Sequence, residues 1–113
     1  MVKPMKTNLY LVGRSPASDT FTRLLLDSIV LRAKNGEKDV HVHLLQDGVL
    51  AAKKGYTWKS RVIQLLDNGV LVTVQVEDVQ ARGSFETTEG VKKVPYGDVI
   101  DAIFDSERIC SDI

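Results

Sequence analysis

The chain has 113 residues, 43% hydrophobic and 27% charged, and its fifteen Lys and Arg balance its fifteen Asp and Glu. That length suits a single domain, the lack of a basic block argues against direct nucleic-acid binding, and no apolar run nears the ~20 residues that span a bilayer. A lone cysteine excludes an internal disulfide, and an N-terminus without the apolar core of a signal peptide makes a cytoplasmic protein the expectation.

Thr7-Asn8-Leu9-Tyr10-Leu11-Val12 reads as a first strand, apolar enough at its end to be buried on both faces. Gly13-Arg14-Ser15-Pro16 breaks it. Ser15 then Pro16 fits an N-cap followed by the first helical position, where proline's missing N–H costs nothing. The helix is expected from about Pro16 to Lys34, stopped by Asn35-Gly36. Phe21, Leu24, Leu25, Leu26, Ile29, Val30, Leu31 and Ala33 cover well over half of its circumference, whereas a helix on a sheet needs an apolar arc of roughly 100°. The surplus points to a second burial partner, most economically another subunit.

Val40 to Leu45 alternates as a second strand. Gln46-Asp47-Gly48 is a turn cluster, and Asp47 stands where an N-cap belongs, ahead of a helix through Val49-Leu50-Ala51-Ala52 that ends near Lys53-Lys54-Gly55. Thr57 is the next expected N-cap, with Val62, Ile63, Leu65 and Leu66 as the apolar face and Asn68-Gly69 as the stop. Val70 to Val76 is the third strand and passes into a short helical turn, residues 77–83, closed by glycine. Val91 to Val94 is a short fourth strand halted by Pro95. Tyr96 to Phe104 is the last helix, with Val99, Ile100, Ile103 and Phe104 apolar, and residues 105–113 are expected to be a loosely held tail.

Strands alternating with helical connections define an α/β chain: a single three-layer α/β/α domain with a mostly parallel four- or five-stranded sheet. Right-handed crossovers then bring Gly13-Arg14-Ser15, Gln46-Asp47-Gly48 and Glu77-Asp78 to one edge of the sheet, where such domains place their sites.

Each candidate group has two readings. Arg14 is either an anion contact beside a helix start or a plain surface or interface arginine, and no glycine-rich phosphate loop accompanies it. His41 and His43, two apart on a strand, face the same way, but no cysteine or second histidine pair completes a metal site, so a structural or interface role is expected and no metal. Asp47, Glu77 and Asp78 could act as general acid/base carboxylates, although capping accounts for Asp47 and Asp78 more simply. Cys110, beside Glu107 and Asp112, is in surroundings that hold back thiolate formation, somewhat offset by Arg108. It is either incidental or a swinging sulfur carrier on a mobile tail. No cofactor is expected.

Leu44-Leu45-Gln46-Asp47-Gly48-Val49 followed by Ala51-Ala52 resembles the signature of DsrH/TusB-like proteins, small members of the DsrE/DsrF/DsrH sulfur-relay superfamily. Three further segments agree in order: Arg14-Ser15-Pro16 after the first strand, the acidic Glu77-Asp78 segment running to Ala81-Arg82-Gly83, and Val94-Pro95-Tyr96-Gly97-Asp98-Val99. The resemblance spans about residues 9 to 104. It implies a three-layer α/β/α domain that assembles with DsrE/TusD-like and DsrF/TusC-like subunits, or with itself where these are absent, to pass persulfide sulfur toward tRNA wobble-uridine thiolation or within sulfur oxidation. The sulfur-carrying sisters bear a cysteine at the end of the third strand; here that segment is Gln75-Val76-Glu77-Asp78. The resemblance therefore implies a non-catalytic subunit, and the expected binding or interface edge comprises Arg14, Ser15, Gln46, Asp47, Glu77, Asp78 and Arg82. Two alternatives remain open: direct sulfur carriage by Cys110, or a small anion- or ligand-binding regulatory domain.

Overall fold

The computed structural model describes residues 7–56 and 59–113. Its strands are β1 (Thr7–Val12), β2 (Val40–Leu44), β3 (Leu71–Gln75), β4 (Lys92–Val94) and β5 (Ser106–Asp112). Its helices are α1 (Thr20–Lys34), a 3-10 helix over Gln46–Ala52, α2 (Lys59–Asp67), α3 (Val76–Ala81) and α4 (Tyr96–Asp105). All strand pairs are parallel, in the order β4-β3-β2-β1-β5. Among the described residues no helix is long and apolar enough to cross a membrane.

The strand order explains the layering. The first three connections step in one direction, so right-handed crossovers put α1, the 3-10 helix, α2 and α3 on one face. The last connection returns across the sheet to lay β5 beside β1, which puts α4 on the other. The main core joins Tyr10, Val12, Val42, Leu44, Val72 and Val74 of the sheet to Leu26, Ile29, Val62 and Leu65 of α1 and α2. A smaller cluster joins Leu9 and Leu11 to Val99 beneath α4.

Several elements differ from expectation. The first helix begins at Thr20, because the Asp19 carboxylate accepts the amides of Phe21 (2.9 Å) and Thr22 (3.4 Å) and is the working cap. Ser15 instead opens a turn: its carbonyl accepts the amides of Ser18 and Asp19, and its hydroxyl meets Tyr56 Oη at 2.9 Å and accepts the Ala17 amide. Asp47 caps nothing; the segment after β2 is a 3-10 helix whose N-cap position is Leu45, and Asp47 is held by an arginine instead. The tail is not loose. It is β5, pairing along β1 from Ser106 to Asp112, with Glu107 as the extra residue of a bulge. Thr22 Oγ1 donates to Asp112 Oδ2 at 2.6 Å in a buried site that ties this last strand to α1. The expected cap at Thr57 lies outside the described residues.

The apolar surplus on α1 persists in three dimensions. Leu26, Ile29 and Val30 are buried, while Phe21, Leu24 and Leu31 stay 59–63% exposed along the outer side. On α4 only Val99 of the expected apolar face is buried; Ile100, Ile103 and Phe104 remain open to solvent.

Candidate functional site

The carboxyl ends of β1, β2 and β3 converge, and their loops form one polar edge. Between β1 and β5, where the strand order reverses, lies an open crevice of about 390 Å³ bordered by Gly13, Arg14, Ser15, Gln46, Asp47 and Ile113. Such reversal points are where open parallel sheets place ligands. A second cleft of about 340 Å³ opens between the ends of β2 and β3, bordered by Leu45, Gln46, Gln75, Glu77, Asp78 and Tyr96. Gln46 borders both and holds a left-handed backbone at φ 50°. Strained non-glycine residues of this kind persist where their surroundings hold them firmly.

What holds it is an ion-pair network between two distant segments. Arg82 donates to Asp47 Oδ1 through Nε (3.1 Å) and Nη2 (2.9 Å), and through Nη1 to the Asp78 carbonyl (3.1 Å). The Asp78 carboxylate accepts the Gln46 amide at 2.7 Å. Gln46-Asp47 and Asp78-to-Arg82 are thus fastened into one unit, and the guanidinium fork supplies its fixed geometry. On its other side this segment packs directly on the end of β1, which Gly48 makes possible: a Cβ there would stand 2.1 Å from the Val12 carbonyl oxygen.

Arg14 does not face an empty anion cradle. It pairs with Asp19 at 3.2 Å and lies 3.9 Å from Asp112, and Asp19 already occupies the first amides of α1. Carboxylates therefore fill the positions that an incoming anion would need.

Behind the second cleft runs a chain of side chains that crosses two strands. His41 Nε2 and His43 Nδ1 each lie 2.7 Å from Thr73 Oγ1; His43 Nε2 lies 3.0 Å from Gln75 Oε1; Gln75 Nε2 donates to Glu77 Oε1 at 2.5 Å. Glu77 Oε2 accepts the Tyr96 amide at 3.4 Å. The carboxylate dictates every assignment upstream. Glu77 can only accept, so the Gln75 amide nitrogen faces it and the amide oxygen faces His43. His43 then carries its proton on Nε2 and accepts from the Thr73 hydroxyl at Nδ1, which leaves Thr73 to accept from His41. All donors point the same way, toward Glu77.

Burial keeps both imidazoles neutral. It lowers His41 to about 4, with His43 adding a smaller push in the same direction. Burial likewise lowers His43, against the opposing pull of the Gln75 hydrogen bond and the Asp78 charge. The Glu77 carboxyl is lowered by its own backbone amide first and by Gln75 and Tyr96 after it. Sequence reading placed the two histidines on one side of a strand but missed Thr73 and Gln75. The available signal was Val72-Thr73-Val74-Gln75, polar residues at the same period of two as His41 and His43.

Cys110 stands apart from this edge, exposed on β5. Strand alternation directs it, with Arg108, toward a cavity of about 100 Å³ bordered by Tyr10, Leu25, Ser28 and Arg32 of β1 and α1. Glu107 is the bulge residue and does not border that cavity, and the Asp112 carboxylate accepts a hydrogen bond from Thr22.

These features define a parallel α/β domain whose polar edge is a locked carboxylate–guanidinium unit, with its thiol elsewhere. The chain belongs to the DsrH-like family, whose model, described as DsrH like protein, matches residues 15–108, and it is thereby a sulfur-relay-related protein. No curated protein matches it in sequence. Among solved structures it is similar to the ychN protein from E. coli (TM-score 0.84, 17% identity, 96% of this chain and 100% of that one). It is also similar to a conserved protein of unknown function, BT1422, from Bacteroides thetaiotaomicron (TM-score 0.75, 16% identity, 93% and 94%). A third likeness is to a protein of unknown function, MTH1491, from Methanobacterium thermoautotrophicum (TM-score 0.74, 17% identity, 96% and 100%). At these identities the likeness is one of fold.

Proposed function

We propose that this chain is a non-catalytic subunit of a sulfur-relay complex, supporting persulfide transfer by cysteine-bearing DsrE/TusD-like and DsrF/TusC-like partners in the cytoplasm. The complex would serve tRNA wobble-uridine thiolation or sulfur oxidation. The observation that carries this reading is the outward apolar row of Phe21, Leu24 and Leu31, which no element of the described chain covers. The polar edge adds support, because its loops hold no cysteine and Arg82 is spent on Asp47. Native mass spectrometry of the protein with cysteine-bearing partners tests it: a defined hetero-oligomer is the expected result, and free monomer beside intact partners would overturn it.

A second reading has its own observation, the cavity that Cys110 shares with Arg32 and Arg108. There the Cys110 thiolate would attack the outer sulfur of a donor persulfide, forming a new S–S bond on Cys110 and releasing the donor as a thiolate, with no net oxidation. A mass gain of about 32 Da per sulfur, absent in Cys110→Ser, is its signature. Transfer activity unaffected by that substitution would remove it.

A further inference from the structure

His41 and His43 lie on the sheet face that α4 covers. Their register partners on β1 are Leu9 and Leu11, which pack against Val99 of that helix. His43 has only 1% of its surface exposed and Thr73 only 3%. The groups facing the pair are few. On their own strand each faces the other, at a ring separation of 6.3 Å. From β3 come Thr73 and Gln75, neither of them charged, and on β4 Lys92, paired in register with Thr73, is exposed. Asp78 acts on His43 from α3, and Glu77 is reached only through Gln75. On α4 the carboxylates Asp98, Asp101 and Asp105 are all exposed. Among the described residues, none of these carboxylates hydrogen-bonds either imidazole.

We propose that the His41–Thr73–His43–Gln75–Glu77 chain is an acid-released latch that holds α4 onto the sheet. With neutral imidazoles every donor has an acceptor, and the last carboxylate receives the first amide of α4. A proton added at His43 Nδ1 reverses the contact with Thr73. That hydroxyl oxygen must then accept from both histidines, and its own hydrogen is left in a buried site without a partner. The new imidazolium is also almost without water. Both costs are relieved by exposing this face, and among the described residues α4 is the helix that lies over it. Acid therefore opens this layer before the α1–α2 layer, whose core contains no titratable histidine. The lowering of both histidines by burial is consistent with this.

Amide hydrogen exchange on the full chain, compared at pH 7 and pH 5 and corrected for the intrinsic rate, tests the latch. Amides of α4 such as Ile103 and Phe104 are expected to gain about tenfold in exchange at pH 5, while Ile29 and Val30 of α1 hold steady. His43→Gln keeps an amide able to meet Thr73 and Gln75 but does not titrate, and it should remove most of the gain. Equal responses in α4 and α1, no response in α4, or a full acid response in His43→Gln would each overturn the proposal. Should that variant not fold, the comparison of the two helices in the unaltered protein still decides.

Discussion

Asp47 and Arg82 are 35 residues apart in the chain, yet Asp47 Oδ1 accepts two hydrogen bonds from the Arg82 guanidinium. One end of that link is the turn after β2 and the other is the close of α3, so the pair turns two loops into a single rigid edge. Arg82→Met should cost about 1–2 kcal/mol, since it frees the Asp78 carbonyl as well as Asp47. Arg82→Lys should recover only part of this, because an ammonium cannot reproduce the fork. Urea unfolding of both variants, with Asp47→Asn to complete a double-mutant cycle, measures the coupling; a value near zero would show that the edge is rigid without it.

Gly48 sits where backbone meets backbone. A methyl group would be driven to within 2.1 Å of the Val12 carbonyl oxygen, which cannot rotate away as a side chain could. Gly48→Ala should therefore destabilise by about 3 kcal/mol or more, beyond the usual cost of overpacking. Chemical denaturation checks this, and a loss under about 1 kcal/mol would mean that the loop shifts freely.

The histidine pair sets a direction for pH dependence. Both imidazoles have folded values below the unfolded 6.5, and His41 is brought to about 4. Between those limits the unfolded chain binds more protons, so stability is fully present above about 6.5 and is lost as pH falls toward 4. The slope cannot exceed about 1.4 kcal/mol per pH unit per histidine, and half-buried His41 should deliver less. Denaturation midpoints measured between pH 7 and pH 5, above the carboxylate range, should fall with acid. A flat profile would contradict the neutral assignment.

The Thr22–Asp112 contact makes the last strand part of the core. Asp112→Ala leaves the buried Thr22 hydroxyl without its acceptor and should cost about 1–3 kcal/mol. Removing residues 106–113 should be far worse, because β1 then becomes an edge and loses a neighbour along its whole length. Thermal melts of both variants distinguish this from a loose tail, which could be deleted without effect.

Exposed Phe21 and Leu24 predict a separation of stability from assembly. Phe21→Ser and Leu24→Asp should change the stability of the isolated chain by no more than about 0.5 kcal/mol. The same changes should dissociate any complex seated on α1, read by native mass spectrometry. Intact assembly would move the interface elsewhere.

Much of this architecture was legible in the residues. Five of the helical stretches and four of the strands follow from local signals: β-branched runs such as Val72 to Val74, stops such as Asn35-Gly36 and Asn68-Gly69, and Pro95 before α4. Cap identity was harder, because Ser15 and Asp19 are both good candidates and only the turn at residues 15–19 selects the second. Asp47 misled for the same reason. An aspartate after a strand looks like a cap until an arginine 35 positions later takes its carboxylate.

By itself the sequence determined the α/β class, the single polar edge, the surplus apolar surface of α1 and the kinship with DsrH-like proteins, because periodicity, turn residues and motif order are properties of neighbours along the chain. Tertiary structure alone decided that residues 106–112 form a strand, that Arg82 joins Asp47 to Asp78, and that two histidines, a threonine and a glutamine form one directional chain ending on Glu77. Ser106-Glu107-Arg108-Ile109-Cys110-Ser111-Asp112 carries little strand signal of its own; it is ordered by the open side of β1 and by Thr22, groups that lie about ninety or more residues away. Contacts at that separation are selected by the packing of the whole fold, which no local pattern encodes.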